Sequence, residues 1–163
     1  MLKMKYYKQN TIISCGPVVL QMIFHYYGKY FSEETLTNKL KPKNDDIGTP
    51  HYRMINLATA EGFYVYANEG SSLYEVAYFV NEKIPVIVHF MEPDTDQGHY
   101  AVVVGVQKKK IVLNDPWNGE KFKMDKAEFE KRWISQDGKH KKWIMAVSDT
   151  DVHFGKQYLP NKD

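Results

Sequence analysis

Only one cysteine, Cys15, occurs in the 163 residues. A lone cysteine cannot close an internal disulfide, so nothing points to an oxidising compartment. No segment approaches the roughly 20 consecutive apolar residues that a membrane-spanning helix needs. The opening MLKMKYYKQN is charged and has no apolar stretch of signal length. The expectation is a soluble, cytoplasmic chain. An excess of one charge is also lacking: 22 basic and 20 acidic residues leave a net +2. That balance argues against nucleic acid as the main partner. Glu92, Asp94 and Asp96 superficially suggest a calcium loop, but they lack the EF-hand pattern and its glycine. They read as a solvated loop at the rim of a cleft.

The length fits one domain, and an apolar fraction of 43% supports a sizeable core. There is no internal repeat and no dividing linker. Twelve tyrosines make a groove or interface plausible, since Tyr buries its ring and keeps its hydroxyl bonded.

The stretch YKQNTIISCGPVVLQMIFHYY, Tyr7 to Tyr27, organises the rest. After Cys15 come Gly16 and Pro17, then apolar residues at helical spacing: Val18, Val19, Met22, Ile23 and Tyr26. Pro suits the first turn of a helix because its missing N–H would have no partner there. The spacing predicts a helix over 16–27, stopped by Gly28, with Cys15 at its positive end. A thiolate is favoured at such a place. Gln9 is an uncharged amide that can reach back to the same point. A free cysteine is otherwise most often a small buried hydrophobe, so the functional reading depends on partners downstream.

Three more helices precede the main run of strands. Ser32 caps the first, with Leu36 and Leu40 apolar. A polar loop over 41–48 leads to the next, capped by Thr49 with Pro50 at its first position and Met54, Leu57 and Ala58 inward. After a strand over 63–67, Ser72 caps the third, with Leu73, Val76, Ala77 and Val80 inward. The pattern then changes. PVIVHF, YAVVVGV, a short run at 111–113 and Trp143 to Val147 read as central strands of an antiparallel sheet. One helix capped by Asp125 lies before the last of them. Helices first and strands later predict an α+β fold, N-terminal helices packed on a C-terminal antiparallel sheet. Residues 1–148 form the expected domain, and 149–163 a polar, loosely held tail.

Of the six histidines, His25, His51, His89, His140 and His153 are most simply structural or exposed. His99 differs: it follows a loop and a glycine and opens a strand. Asp115 ends the next strand, in LNDPW, after a tight connection at 107–110. A hairpin there brings His99 and Asp115 within a residue or two of level. A carboxylate so placed fixes the imidazole tautomer. Thiol, imidazole and carboxylate in that order are what papain-like nucleophilic catalysis requires. That chemistry needs no metal or cofactor.

The segments QNTIISCGP, LQMIFHYYG, GHYAVVVGV and LNDPW resemble the C39 family of cysteine peptidases, across roughly residues 5–148. The resemblance implies a papain-like fold and assigns Cys15, His99 and Asp115 to the catalytic positions and Gln9 to the oxyanion hole. It implies a peptide substrate, such as the double-glycine leader of a bacteriocin precursor, and association with an ABC exporter. Ser14 stands where transporter-linked members usually carry an acidic residue, and Pro17 where they carry a small one. Both are closer to the free-standing C39-like branch. Two alternatives stay open: a transpeptidase or amidase using the same thiol, and a non-catalytic peptide-binding domain on the same fold.

Overall fold

The computed structural model describes residues 1–40 and 48–161. Its elements in chain order are α1 (Cys15–Tyr26), α2 (Glu33–Leu40), α3 (His51–Ala60), β1 (Tyr64–Asn68), α4 (Leu73–Asn81), β2 (Val86–Met91), β3 (Gly98–Val106), β4 (Lys110–Asp115), β5 (Gly119–Asp125), α5 (Lys126–Arg132), β6 (Ile144–Ser148) and β7 (Gln157–Tyr158). The strands form one sheet in the order β5-β4-β3-β2-β6-β1-β7. Every neighbouring pair is antiparallel. The predicted α+β architecture is thus what the chain adopts.

Strand geometry explains why the central strands read as unbroken apolar runs. Successive side chains point to opposite faces, and both faces are covered. Ile87, Val102, Met145 and Val147 pack with α1, α2 and α3. Val86, Val88, Ala101, Val103, Ile144 and Ala146 pack with Phe79 of α4 and Phe129 and Trp133 at α5. The alternation holds through β2 and β6 and in β3 up to Val103, where a bulge against β4 puts Val103 and Val104 on one face, so a one-residue slip of a central strand would exchange the two cores.

Several local expectations need correction. Thr49 does not cap α3: Pro50 holds the N-cap position and no side chain bonds there. The Thr49 carbonyl instead accepts from the Tyr100 hydroxyl at 2.7 Å, tying the start of α3 to β3. Asp125 does flank α5, but its side chain makes no cap bond and pairs with Lys110 Nζ at 2.7 Å. β5 was not expected: it is largely exposed, with only Met124 buried, so its sequence carries little apolar signal. Nor is the C-terminal tail loose. Val152 is buried, Phe154 contacts Tyr66, Tyr78 and Phe79, and β7 pairs with β1. Apart from Gly48, the expected polar loop at 41–48 lies outside the described residues.

The N-terminal segment reaches the same end of the sheet as His99 and Asp115. The Leu2 N–H bonds the Val104 carbonyl at 2.8 Å and the Gln9 N–H bonds the Pro116 carbonyl at 3.0 Å. Between them, the Tyr6 hydroxyl donates to the Asp115 carbonyl at 2.6 Å.

Candidate active site

Cys15 is the first residue of α1 and is buried. A turn over 11–14 delivers it: the Ser14 hydroxyl donates to the Thr11 carbonyl at 3.0 Å and accepts from the Thr11 N–H at 3.1 Å. The next helical residue, Gly16, permits close approach of α3. A Cβ built on it would lie 2.5 Å from Thr49 Oγ1. The first N–H groups of a helix have no acceptor within it, so the Cys15 N–H sits at an electropositive terminus.

His99 and Asp115 meet as the hairpin predicted. His99 Nε2 lies 2.6 Å from Asp115 Oδ1. The pairing Val102↔Asn114 sets the register of β3 against β4, and both side chains are buried. Burial opposes a charge on His99, but hydrogen bonds to the Asp115 carboxylate and the Cys15 thiol outweigh it and hold its pKa up at about 10. With Nε2 taken by Asp115, Nδ1 is the nitrogen left for the thiol. Burial likewise disfavours the Asp115 carboxylate, yet hydrogen bonds from His99 and Asn118 keep its pKa below the ordinary 3.8. The three groups the sequence singled out are therefore brought together.

Gln9 is buried, with its amide partly engaged. Nε2 donates to the Thr11 carbonyl at 2.7 Å. Oε1 is the buried side-chain polar atom without a partner among the described residues. One amide hydrogen stays uncommitted.

A groove of about 790 Å³ opens at Cys15, lined in part by Ile12, Ile13, Thr49, Tyr52, Gly98 and Gln136. Its wall also holds His51, His89 and His140. Each of these had an unremarkable local pattern, and their association was not legible. His51 Nε2 and His89 Nδ1 are 2.7 Å apart, and the His51 ring stacks on Trp143 with centroids 3.8 Å apart. Burial, followed by repulsion from neighbouring histidines, pushes His51 down to about 3 and His89 to about 4. Both are neutral at physiological pH, so this pair offers hydrogen-bonding capacity without positive charge. Among the described residues no cluster of three or more His, Cys, Asp or Glu is arranged to hold a metal.

Glu92 corrects another expectation. It is not solvated: its relative exposure is 2%. Its Oε2 accepts from the Asp94 N–H, the Thr95 N–H and the Thr95 hydroxyl at 3.0, 2.7 and 2.9 Å. The rim loop is therefore folded onto a buried carboxylate. Several tyrosines are taken up inside the fold rather than presented at the groove. Tyr6, Tyr26 and Tyr27 spend their hydroxyls on backbone carbonyls, and Tyr7 meets His25. Trp117 is exposed.

The sequence profile described as the Peptidase_C39 like family matches residues 1–140. ComA, a transport/processing ATP-binding protein, is 29% identical over 133 residues in each of two Streptococcus pneumoniae strains. That alignment covers 80% of this chain and 18% of ComA, so the chain spans under a fifth of that relative's length. Among solved structures, the peptidase domain of Streptococcus ComA, a bi-functional ABC transporter of a quorum sensing pathway, superposes with a TM-score of 0.71 at 23% identity, covering 90% of this chain and 98% of that one. A C39-like peptidase from Bacillus anthracis gives 0.71 at 18% identity, covering 88% and 94%. A double glycine motif protease from an AMS/PCAT transporter, in complex with its leader peptide, gives 0.71 at 19% identity, covering 91% and 93%.

Proposed function

The chain belongs to the Peptidase_C39 like family and is a cysteine peptidase; we propose that Cys15, His99 and Asp115 carry its chemistry and that it cuts a peptide after a Gly-Gly leader junction. The observation that carries this is the buried His99 Nε2–Asp115 Oδ1 contact of 2.6 Å, and Cys15 helps to raise the pKa of the same imidazole. A thiol in this setting gives its proton to His99, and the pair acts as thiolate and imidazolium.

The Cys15 sulfur attacks the scissile carbonyl carbon, and the carbonyl π electrons move to oxygen. The Cys15 N–H and the uncommitted hydrogen of Gln9 Nε2 bind that oxyanion. Loss of one such donor typically costs about 100-fold or more in rate. The C–N bond then breaks and His99 protonates the departing amine. A water, deprotonated by His99, attacks the thioester and the thiolate leaves. Asp115 holds the tautomer and orientation of His99 throughout.

The Gly-Gly preference is supported by the leader-bound transporter protease among the structural relatives. The exposed Ile12, Ile13 and Tyr52 at the groove would receive apolar leader side chains. Similarity to ComA supports work beside an ABC exporter in the cytoplasm. Among the described residues no helix is long and apolar enough to cross a membrane. The catalytic unit is residues 1–148, with 149–163 as an appended edge.

The test has two parts. Folded and urea-unfolded chains are treated with iodoacetamide across pH and weighed intact. Faster labelling of the folded chain near neutral pH, lost in His99→Gln, supports the pair. Labelling that requires unfolding rejects it. Peptides with Gly-Gly at the junction are then assayed with Cys15→Ala as control. No cleavage of Gly-Gly peptides, with cleavage of others, would remove the leader assignment and keep the peptidase.

A further inference from the structure

We infer that Asn118, held in turn by the buried carboxylate of Glu92, is a positioning residue for Asp115. This rests on the reading that Cys15, His99 and Asp115 act together.

Three donors converge on Asp115 Oδ1: His99 Nε2, the Trp117 N–H at 2.9 Å and the Asn118 N–H at 3.0 Å. Oδ2 is bonded by one group among the described residues, Asn118 Nδ2 at 3.0 Å. Asp115 has no solvent exposure, so water cannot replace that bond. The second hydrogen of Asn118 Nδ2 goes to Glu92 Oε1 at 3.1 Å. One amide nitrogen thus joins two buried carboxylates, each hydrogen serving one of them. Asn supplies two donors from a single atom on a short stem. An aspartate at 118 would place a third carboxylate there instead.

The two carboxylates sit on separate parts of the frame. Glu92 follows β2 and gathers the loop that runs into Gly98 and His99. Its N–H bonds the Gln97 carbonyl at 2.8 Å. Asp115 ends β4. Asn118 therefore locks the strand end that supplies the carboxylate to the loop that delivers the imidazole. Hydrogen bonds from this loop and from Asn118 outweigh burial and keep Glu92 below its ordinary pKa of 4.5.

The other charged and titratable groups nearby are otherwise engaged. The Tyr6 hydroxyl bonds the Asp115 backbone carbonyl, and Glu120 acts on Tyr6. Cys15 approaches His99 from α1. Arg132 pairs with Asp96 and Glu128. Without the Asn118 amide, Oδ2 loses its one bonded group among the described residues and takes a proton more readily, and the hold of Asp115 on His99 weakens.

The test compares wild type, His99→Gln, Asn118→Ala, Asn118→Asp and Glu92→Gln. For each, the pH profile of Cys15 alkylation in the folded protein is measured beside the Tm. In Asn118→Ala the profile should move about one pH unit towards that of His99→Gln, which is roughly tenfold slower labelling on the acid side. Asn118→Asp should move it further, and Glu92→Gln less, because Gln keeps an acceptor for the amide. A folded Asn118→Ala with the wild-type profile overturns the inference, even if its Tm falls, because a structural prop would lower the Tm alone. If Asn118→Ala does not fold, Glu92→Gln decides on the same criterion. Identical profiles for wild type and His99→Gln would reject the underlying pair instead.

Discussion

Thr49 stands so close to Gly16 that a Cβ on the glycine would lie 2.5 Å from Thr49 Oγ1 and 2.7 Å from Thr49 Cβ. Thr49 cannot withdraw freely, because its carbonyl holds the buried Tyr100 hydroxyl. Gly16→Ala should therefore destabilise the fold by about 1–3 kcal/mol through overpacking. It should also slow Cys15 labelling, since the neighbouring residue is displaced. Removing the opposing Cβ with Thr49→Gly should recover part of the stability. Urea unfolding of the two single variants and the double variant checks this, and strict additivity would refute the contact as the cause.

Asp115→Ala and Asp115→Asn should differ in kind. Ala leaves four donors without an acceptor: His99 Nε2, the Trp117 and Asn118 N–H groups and Asn118 Nδ2. It also removes the carboxylate that faces the buried imidazole. A loss of about 3–5 kcal/mol is expected. Asn keeps one oxygen for the His99 side but turns an amide hydrogen on Asn118, so the loss should be about 1–2 kcal/mol. Chemical denaturation of both variants at pH 7 gives the comparison, and equal losses would contradict it.

Acid should weaken the fold through His51 and His89. Their folded pKa values, about 3 and about 4, lie below the ordinary 6.5. The unfolded chain therefore takes up their protons first. Their contribution is fully present above pH 6.5 and is lost as the pH falls towards 4 and 3. His99 acts in the opposite sense. Its value of about 10 gives stability that is complete below pH 6.5 and disappears as the pH rises through 10. Stability should peak near pH 6.5. The urea midpoint measured from pH 4 to 10 tests this. In His89→Gln the decline from pH 6.5 to 4.5 should be shallower than in wild type.

Truncation after Ser148 should lower the Tm while leaving the site working. It removes buried Val152, the Phe154 contacts with Phe79 and Tyr66, and the β7 pairing with β1. Apolar burial of that size is worth about 2–4 kcal/mol. His99 and Asp115 lie on β3 and β4, separated from β1 and β7 by β2 and β6. The alkylation profile of Cys15 should therefore be unchanged at 20 °C. Loss of folded protein altogether would show that 149–163 belongs to the folding unit.

Much of this molecule can be read from short windows of sequence. The Cys15-Gly-Pro start of α1, the Ser72 cap accepting from the Glu75 N–H and the apolar runs of β2, β3 and β6 are local patterns. Their physics acts between residues a few positions apart. The tight turn after β3 also made the His99–Asp115 meeting legible, because a short hairpin leaves little freedom of register. β5 was not legible, since an exposed edge strand needs few apolar side chains.

The tertiary structure alone decided the rest. His51 and His89 are 38 positions apart, and Glu92 and Asn118 are 26 apart. Neither pair has a spacing rule, because each depends on how α3 lies against the sheet and how two strand ends are cut. Glu92 looked like surface because a run of acidic residues usually is. Its burial depends on donors from Asp94, Thr95 and Asn118, which exist only once the loop and the β4 turn have closed on it. The order of thiol, imidazole and carboxylate was thus written in the chain. The hydrogen-bonded frame that holds His99 against Asp115 required the fold, because a buried polar group finds its partners by position in space rather than by distance along the sequence.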